Sequence, residues 1–277
     1  MLRQLIMIVL VMFICNHTLG CKKKSSDTVL QTKSKIDLFN PSKNLIGKWL
    51  ISEDGSKYIE FHQDETGSMN GEDFFVWTAT KERVLITHVD KTSFYILDYK
   101  INGSKMRVTA GNSGGTELIK EKSSNEGKSI PLSKEEIANE KKKITPQISD
   151  QIGKTGPAGG IIFYDKGHIT DGWQFLEVAP ANTVFESSWN NATKKCNELT
   201  INGFSDWYLP SLDELRILGL NLLIRKLGDF PENGDHYWSS DEYSDIIGFL
   251  FDISYYCIGS SVTDKYRPHK VRAIRAY

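Results

Sequence analysis

Between Gly203 and Leu215 the chain reads Gly-Phe-Ser-Asp-Trp-Tyr-Leu-Pro-Ser-Leu-Asp-Glu-Leu, and few local structures satisfy that order. Pro210 has no N–H to give to a helix or an inner strand, so the aromatic half before it must be extended or looped. Ser211 then stands where a helix N-cap belongs, and Leu212, Leu215, Leu218 and Leu222 recur at helical spacing with one face inward. The stretch predicts an aromatic turn opening into a helix. Matching parts follow at Tyr237-Trp238-Ser239-Ser240 and Val271-Arg272-Ala273-Ile274-Arg275. Together they point to a loop-rich domain braced by tryptophan.

The 277 residues leave room for two small domains, and 39% hydrophobic with 25% charged residues is ordinary globular composition. A net charge of -1 gives no general attraction to polyanions, and residues 151–277 carry 12 Lys/Arg against 16 Asp/Glu. Nucleic acid is therefore not an expected partner.

The N-terminus carries an address: Arg3, an apolar run from Leu5 to Ile14, then Thr18-Leu19-Gly20-Cys21 and Lys22-Lys23-Lys24. Spanning a bilayer takes about 20 apolar residues, so this run suits a signal-peptide core better than a membrane anchor. A small residue directly before a cysteine resembles the bacterial lipoprotein cleavage box, although Thr18 stands where that family usually has Leu. The resemblance implies removal of residues 1–20 as a signal peptide and acylation of Cys21, hence a lipid-anchored protein of the cell envelope, outside the cytoplasm, at an outer membrane or cell surface. A plain secreted protein and an uncleaved anchor are the alternatives. Cys15 leaves with the signal peptide, so Cys196 and Cys257 remain for one disulfide in an oxidising compartment. Two buried free thiols are the competing expectation.

Residues 21–44 are rich in Lys and Ser and read as a tether. From 45 to 121 short β segments alternate with turn signals, above all Asp54-Gly55 and Asn102-Gly103, which tolerate the positive φ of tight hairpins. They predict a meander of six or seven strands. Gly47-Lys48-Trp49 resembles the Gly-x-Trp start of lipocalin-like barrels; about 75 residues is short for an eight-stranded barrel with a roomy cavity, so a small barrel acting as spacer or accessory module is expected, with an apolar-ligand pocket as the alternative. Residues 122–150 form a charged linker, in which Ser133-Lys134-Glu135-Glu136 fits a capping box for a short exposed helix to about Lys143.

After the linker, Gly153-Lys154-Thr155 looks like the end of a phosphate-binding loop. Ile148 occupies the position that the motif reserves for its first glycine, and Pro157-Ala158-Gly159-Gly160 follows where a helix should. The nucleotide reading fails. The glycines lead instead into strands at Gly160–Asp165 and Trp173–Val178, and Ala192, Cys196 and Leu199 share a face of a helix beginning at Trp189.

In this order, residues 153–277 resemble the Lcl C-terminal domain family, related to the C-type-lectin-like fold. The resemblance rests on Gly156-Pro157-Ala158-Gly159-Gly160, Trp189 with Ala192 and Cys196, Asn202 to Ser211, Tyr237 to Tyr243, and Val271 to Arg275. It departs at Tyr208, where the family commonly has Arg, and at Ala273, where it often has Cys. That second departure leaves Cys257 as the candidate partner of Cys196. The chain is thus expected to be α+β: a small antiparallel β-barrel or meander (lipocalin-like) at 45–121, followed by a C-type-lectin-like α+β domain at 151–277.

The resemblance implies that its shared segments converge, which makes Asn202, Trp207, Tyr237, Trp238, Asp241, Glu242 and Tyr243 the candidate ligand-binding residues. Aromatic faces there would stack on sugar rings while polar groups bond hydroxyls; burial in a core is the competing expectation. Lys265, Arg267, His269, Lys270, Arg272 and Arg275 make a locally basic segment that would suit an anionic or sulfated glycan. Asp241, Glu242 and Asp245 are oxygen donors of the kind calcium takes, but the calcium-lectin Glu-Pro-Asn and Trp-Asn-Asp sequences are missing. No cofactor, metal or catalytic residue is expected. The related formylglycine-generating enzymes suggest a catalytic alternative that needs a reactive cysteine pair. The function expected is extracellular ligand binding, to glycan or host matrix as in adhesion; a structural envelope lipoprotein making only protein contacts is the alternative.

Overall fold

The computed structural model describes residues 44–277 except 52–54, 72, 81, 89–93, 110–114, 122–132, 148, 232–233 and 254–256. The expected signal peptide, Cys21, the tether up to residue 43 and Asp54 lie outside the described residues. The chain is α+β and divides into two compact units, the second comprising Asp90–Tyr95 and Lys143–Tyr277.

The first unit contains eight antiparallel strands rather than six or seven: β1 (Gly47–Leu50), β2 (Tyr58–Phe61), β3 (Thr66–Met69), β4 (Asp73–Ala79), β5 (Arg83–His88), β6 (Phe94–Asn102), β7 (Lys105–Thr109) and β8 (Thr116–Lys120). Each pairs with the next, and β8 returns to β1 through Trp49↔Lys120 and Leu50↔Ile119. The meander is therefore a closed barrel, which leaves its strands without a free edge. Of the unexpected strands, β3 has Met69 as its one large apolar residue and is held by its neighbours β2 and β4. A Cβ on Gly67 would lie 2.4 Å from the Phe75 ring, so the missing side chain is what lets that ring lie flat across β3.

Trp49, Phe61, Phe75, Trp77 and Met106 fill the barrel, with Phe61 edge-on to Phe75 and Trp77 at 5.7 and 5.2 Å. The polar ends are answered inside: Trp49 Nε1 donates to Leu45 O, Trp77 Nε1 to Thr66 O, and the Tyr99 hydroxyl to Thr80 O. A cavity between Ile59, Phe61, Leu97 and Met106 measures about 30 Å³. Small-molecule pockets run from roughly 300 Å³ upward, so this cavity is too small for such a ligand.

Helix α1 (Lys134–Ile144) begins with the expected capping box, in which Glu136 N donates to Ser133 Oγ and Ser133 N to Glu136 Oε2. It is not a free linker, because Lys141 pairs with Glu65 at 2.6 Å.

In the second unit, β9 (Ile161–Thr170), β10 (Trp173–Val178) and β16 (Ile274–Ala276) form one antiparallel sheet in the order β16-β10-β9. Five further strands lie side by side in the order β11 (Phe185–Ser187), β15 (His269–Val271), β12 (Asp235–Glu242), β13 (Ile247–Ile253), β14 (Cys257–Asp264), and β14 pairs in turn with Phe94 and Tyr95, the residues of β6 that belong to this unit. The helices are α2 (Trp189–Asn197) and α3 (Leu212–Leu223). Ser211 caps α3 as expected, accepting from Glu214 N while Glu214 accepts from Ser211 N. Leu215, Leu218 and Leu222 turn inward. Ahead of Pro210 the chain is extended, and Tyr208 bridges to Ile274 through two backbone hydrogen bonds of 2.9 and 3.0 Å. The opening motif and the late basic motif are thus adjacent strands.

Candidate functional site

Most of the conspicuous residues build a polar knot. Glu177 on β10 is fully buried and accepts from Gly160 N at 2.7 Å and Ala158 N at 3.4 Å. The glycines of the Gly156–Gly160 stretch make the room: a Cβ on Gly156 would lie 2.3 Å from the Glu177 carboxyl, and one on Gly160 2.1 Å from Val178 O. Arg275 on β16 donates to Glu177 at 3.1 Å and clasps Asp206 with two parallel bonds of 2.8 and 2.9 Å. Phe204 and Tyr277 lie against its guanidinium at 4.3 and 4.9 Å. Those hydrogen bonds from Arg275 hold the Asp206 carboxyl below the usual carboxylate range. Burial works against the Arg275 charge, but its two carboxylates raise its pKa above the ordinary value. Every charge in the knot has a partner, so it braces the fold; Glu177 and Arg275 are shut away, while half of the Asp206 side chain remains at the surface.

The expected aromatic site is corrected by burial. Trp207 is 1% exposed with its Nε1 donating to Phe204 O, and Trp238 is fully buried with its Nε1 donating to Ser187 O. Both belong to one core cluster with Ala192, Cys196 and Leu250. Tyr237 is buried edge-on to Phe230. Asn202 sits at φ +50° and donates from Nδ2 to Ala158 O, fixing a turn. Asp241 accepts from Leu212 N at the start of α3, where a carboxylate suits the helix dipole. Glu242 pairs with Lys265 at 2.6 Å. Of the seven candidates, Tyr243 alone is a largely exposed aromatic.

The basic segment is not an anion patch. Lys265 is buried above the Trp189 ring, Lys270 pairs with Asp235, and Arg267 with Asp264. Arg272 is buried, donating to Ala179 O and Gly228 O, and burial pushes its pKa down. Nor do Asp241, Glu242 and Asp245 form a calcium cage: two of them are engaged as described. Among the described residues no group of three or more His, Cys, Asp or Glu is arranged to hold a metal.

Of the expected Cys196–Cys257 disulfide, Cys196 is a free thiol in the core, and burial pushes its pKa up to about 12; the Cys257 side chain lies outside what the structure describes.

What the second unit does expose is one apolar face. Tyr243 is 66% exposed, Ile246 72%, Val262 48% and Tyr266 74%, all in the turn between β12 and β13, in β14, and in the turn after it. The two turns are joined by Lys265 N donating to Ile246 O at 3.0 Å. Phe249 is the register partner of Val262, and the Tyr243 ring meets Phe249 edge-on at 5.7 Å. Tyr266 donates to Asp264 Oδ2 at 3.2 Å. Elsewhere among the described residues, exposed large hydrophobics are solitary: Ile119 in the barrel and Ile169 on the β9–β10 hairpin. A clustered face of this kind marks interaction surfaces, whereas single exposed residues do not. Ile246, Val262 and Tyr266 were missed from sequence; the available signal was an apolar residue set inside otherwise polar turns, as in Ser244-Asp245-Ile246 and Asp264-Lys265-Tyr266-Arg267.

No protein-family model matches the chain, and neither does any curated protein.

Proposed function

We propose that the chain is a lipid-anchored bacterial envelope protein, held by acylated Cys21, whose second unit is a C-type-lectin-like module of the Lcl C-terminal kind that binds an extracellular glycan. The observation that carries the binding reading is the exposed pair Tyr243 and Tyr266 with Ile246 and Val262 on one face. Tyrosine offers a flat apolar surface to the C–H face of a sugar and a hydroxyl to its polar edge. The envelope reading is supported by the leader-like N-terminus and by Gly20-Cys21. The filled barrel suits a spacer that keeps the second unit away from the lipid. Binding is favoured over catalysis because the thiol of Cys196 is buried and its pKa raised, which is the reverse of an activated nucleophile.

The test is a glycan array probed with the full chain and with Tyr243→Ala and Tyr266→Ala together. Specific binding by the natural chain, lost in the double variant with the fold intact, supports the reading. No glycan binding, with capture of envelope proteins through the same face, would support the structural-lipoprotein alternative. Changing Cys21→Ser should move the protein from the membrane fraction to the soluble fraction.

A further inference from the structure

The exposed face has a charge as well as a shape. Residues 241–246 hold Asp241, Glu242 and Asp245 and no cation, and the strand end and turn beside them hold Asp264, Lys265 and Arg267. The two cations are not available to a ligand on equal terms. Lys265 is 6% exposed, roofed by Trp189 and bonded to Glu242 and to Asp245 O. Arg267 is 59% exposed, but its Nε is paired with Asp264 at 3.3 Å, which offsets its charge locally. By contrast Asp245 is exposed and its carboxylate has no partner among the described residues, and half of the Glu242 side chain remains accessible. An exposed carboxylate in the turn that carries the Tyr243 ring, a turn hydrogen-bonded to the one that carries the Tyr266 ring, is a combination that attracts an ammonium group, by Coulomb attraction and by the negative faces of the rings. The same charges repel sulfate or uronate.

We infer that the ligand of this face carries positive charge on a sugar framework, as an oligosaccharide of unacetylated glucosamine does. The inference rests on the glycan-binding reading and narrows it to one ligand class. Exposed pairs are weak and screened by salt, so the amine form should bind roughly three- to tenfold tighter than its N-acetylated counterpart at low salt, and the gap should close at about 0.5 M salt.

The experiment uses the full chain and three immobilised oligosaccharides of equal length: glucosamine, N-acetylglucosamine and a sulfated glycan. Asp245→Asn is the test variant. Asp171→Asn is the control, because its side chain is 88% exposed on the β9–β10 hairpin, away from the face. Support is preference for the amine form, reduced by Asp245→Asn and left intact by Asp171→Asn. Equal binding of the amine and acetylated forms overturns the charge inference while leaving the glycan reading in place, and so does preference for the sulfated glycan. Equal losses in the two variants would mean attraction of a polycation to an acidic surface at large, and would also overturn it. Binding to none of the three removes this inference, while the wider array decides the glycan reading separately.

Discussion

Two regions of the second unit use similar residues to opposite ends. Around Arg275 a cation, two carboxylates and several rings are packed so that the guanidinium is 4% exposed and its hydrogen bonds are answered. Around Tyr243 rings and carboxylates again lie together, yet the ring is 66% exposed and the nearby Asp245 carboxylate faces solvent. In the first, each substitution leaves a buried group without its partner. In the second, substitution costs the fold little and changes only what the surface attracts. The residues that draw attention in the sequence therefore report what the fold requires, and those of the proposed ligand face are chemically plain.

The largest effect should come from Glu177→Ala. It removes the acceptor of Gly160 N and Ala158 N and one carboxylate of Arg275, all without solvent to replace them. Breaking a buried pair from one side costs about 3–5 kcal/mol, which urea denaturation would read directly. A loss below about 1 kcal/mol would mean that the knot is not the brace described here.

Gly160→Ala comes next. The added methyl would meet Val178 O at 2.1 Å, and because that obstacle is backbone of the neighbouring strand it can retreat only by disturbing the β9–β10 pairing. An expected loss of about 1–3 kcal/mol follows from overpacking. It is checked by the same denaturation series, with Gly167→Ala, where a Cβ meets nothing within 4 Å but φ is +82°, showing the effect of backbone strain alone.

Asp206 gives a smaller, pH-dependent effect. Its folded pKa is depressed by Arg275, so its stabilising contribution is complete above the unfolded value of about 3.9 and is lost as the pH falls through the folded value. Asp206→Asn should lower the urea midpoint at pH 7 and flatten the decline below about pH 4. An acid limb unchanged in slope would show that Arg275 is held by Glu177 alone.

How much of this was legible follows from the same contrast. Pro210 and Ser211 fixed the extended-to-helix junction because one residue lacks an N–H and the other supplies a cap, both local effects. The capping box at Ser133 was legible for the same reason. The barrel was visible through Asn102-Gly103, and Gly103 does take φ +60°. Strand β3 was not, since Gly67 and Ser68 have little strand character of their own and the strand is organised by Phe75 and Trp77 of its neighbour β4. The Cys196–Cys257 pairing was misjudged because counting cysteines says nothing of the distance between side chains, and Cys196 turned out to be packed among Ala192, Trp207 and Trp238. The exposed face was hidden for a different reason: it depends on the turn before β13 and the turn after β14 meeting at one end of that antiparallel pair, far apart in sequence.

The smallest expected change in stability is also the most informative. Tyr243→Ala deletes an exposed ring whose described contacts are an edge on Phe249 at 5.7 Å and backbone bonds that alanine keeps. Surface substitutions away from caps and buried pairs usually fall within about 0.5 kcal/mol, so the urea midpoint should be almost unmoved. Trp238→Ala, by contrast, empties a fully buried ring from the core and should cost about 3–5 kcal/mol. If both variants lost ligand binding, only the first would implicate the surface, because the second would have lost the scaffold. A large loss of stability in Tyr243→Ala would place that ring with the knot rather than with the ligand face, and the division of labour between the two regions would have to be redrawn.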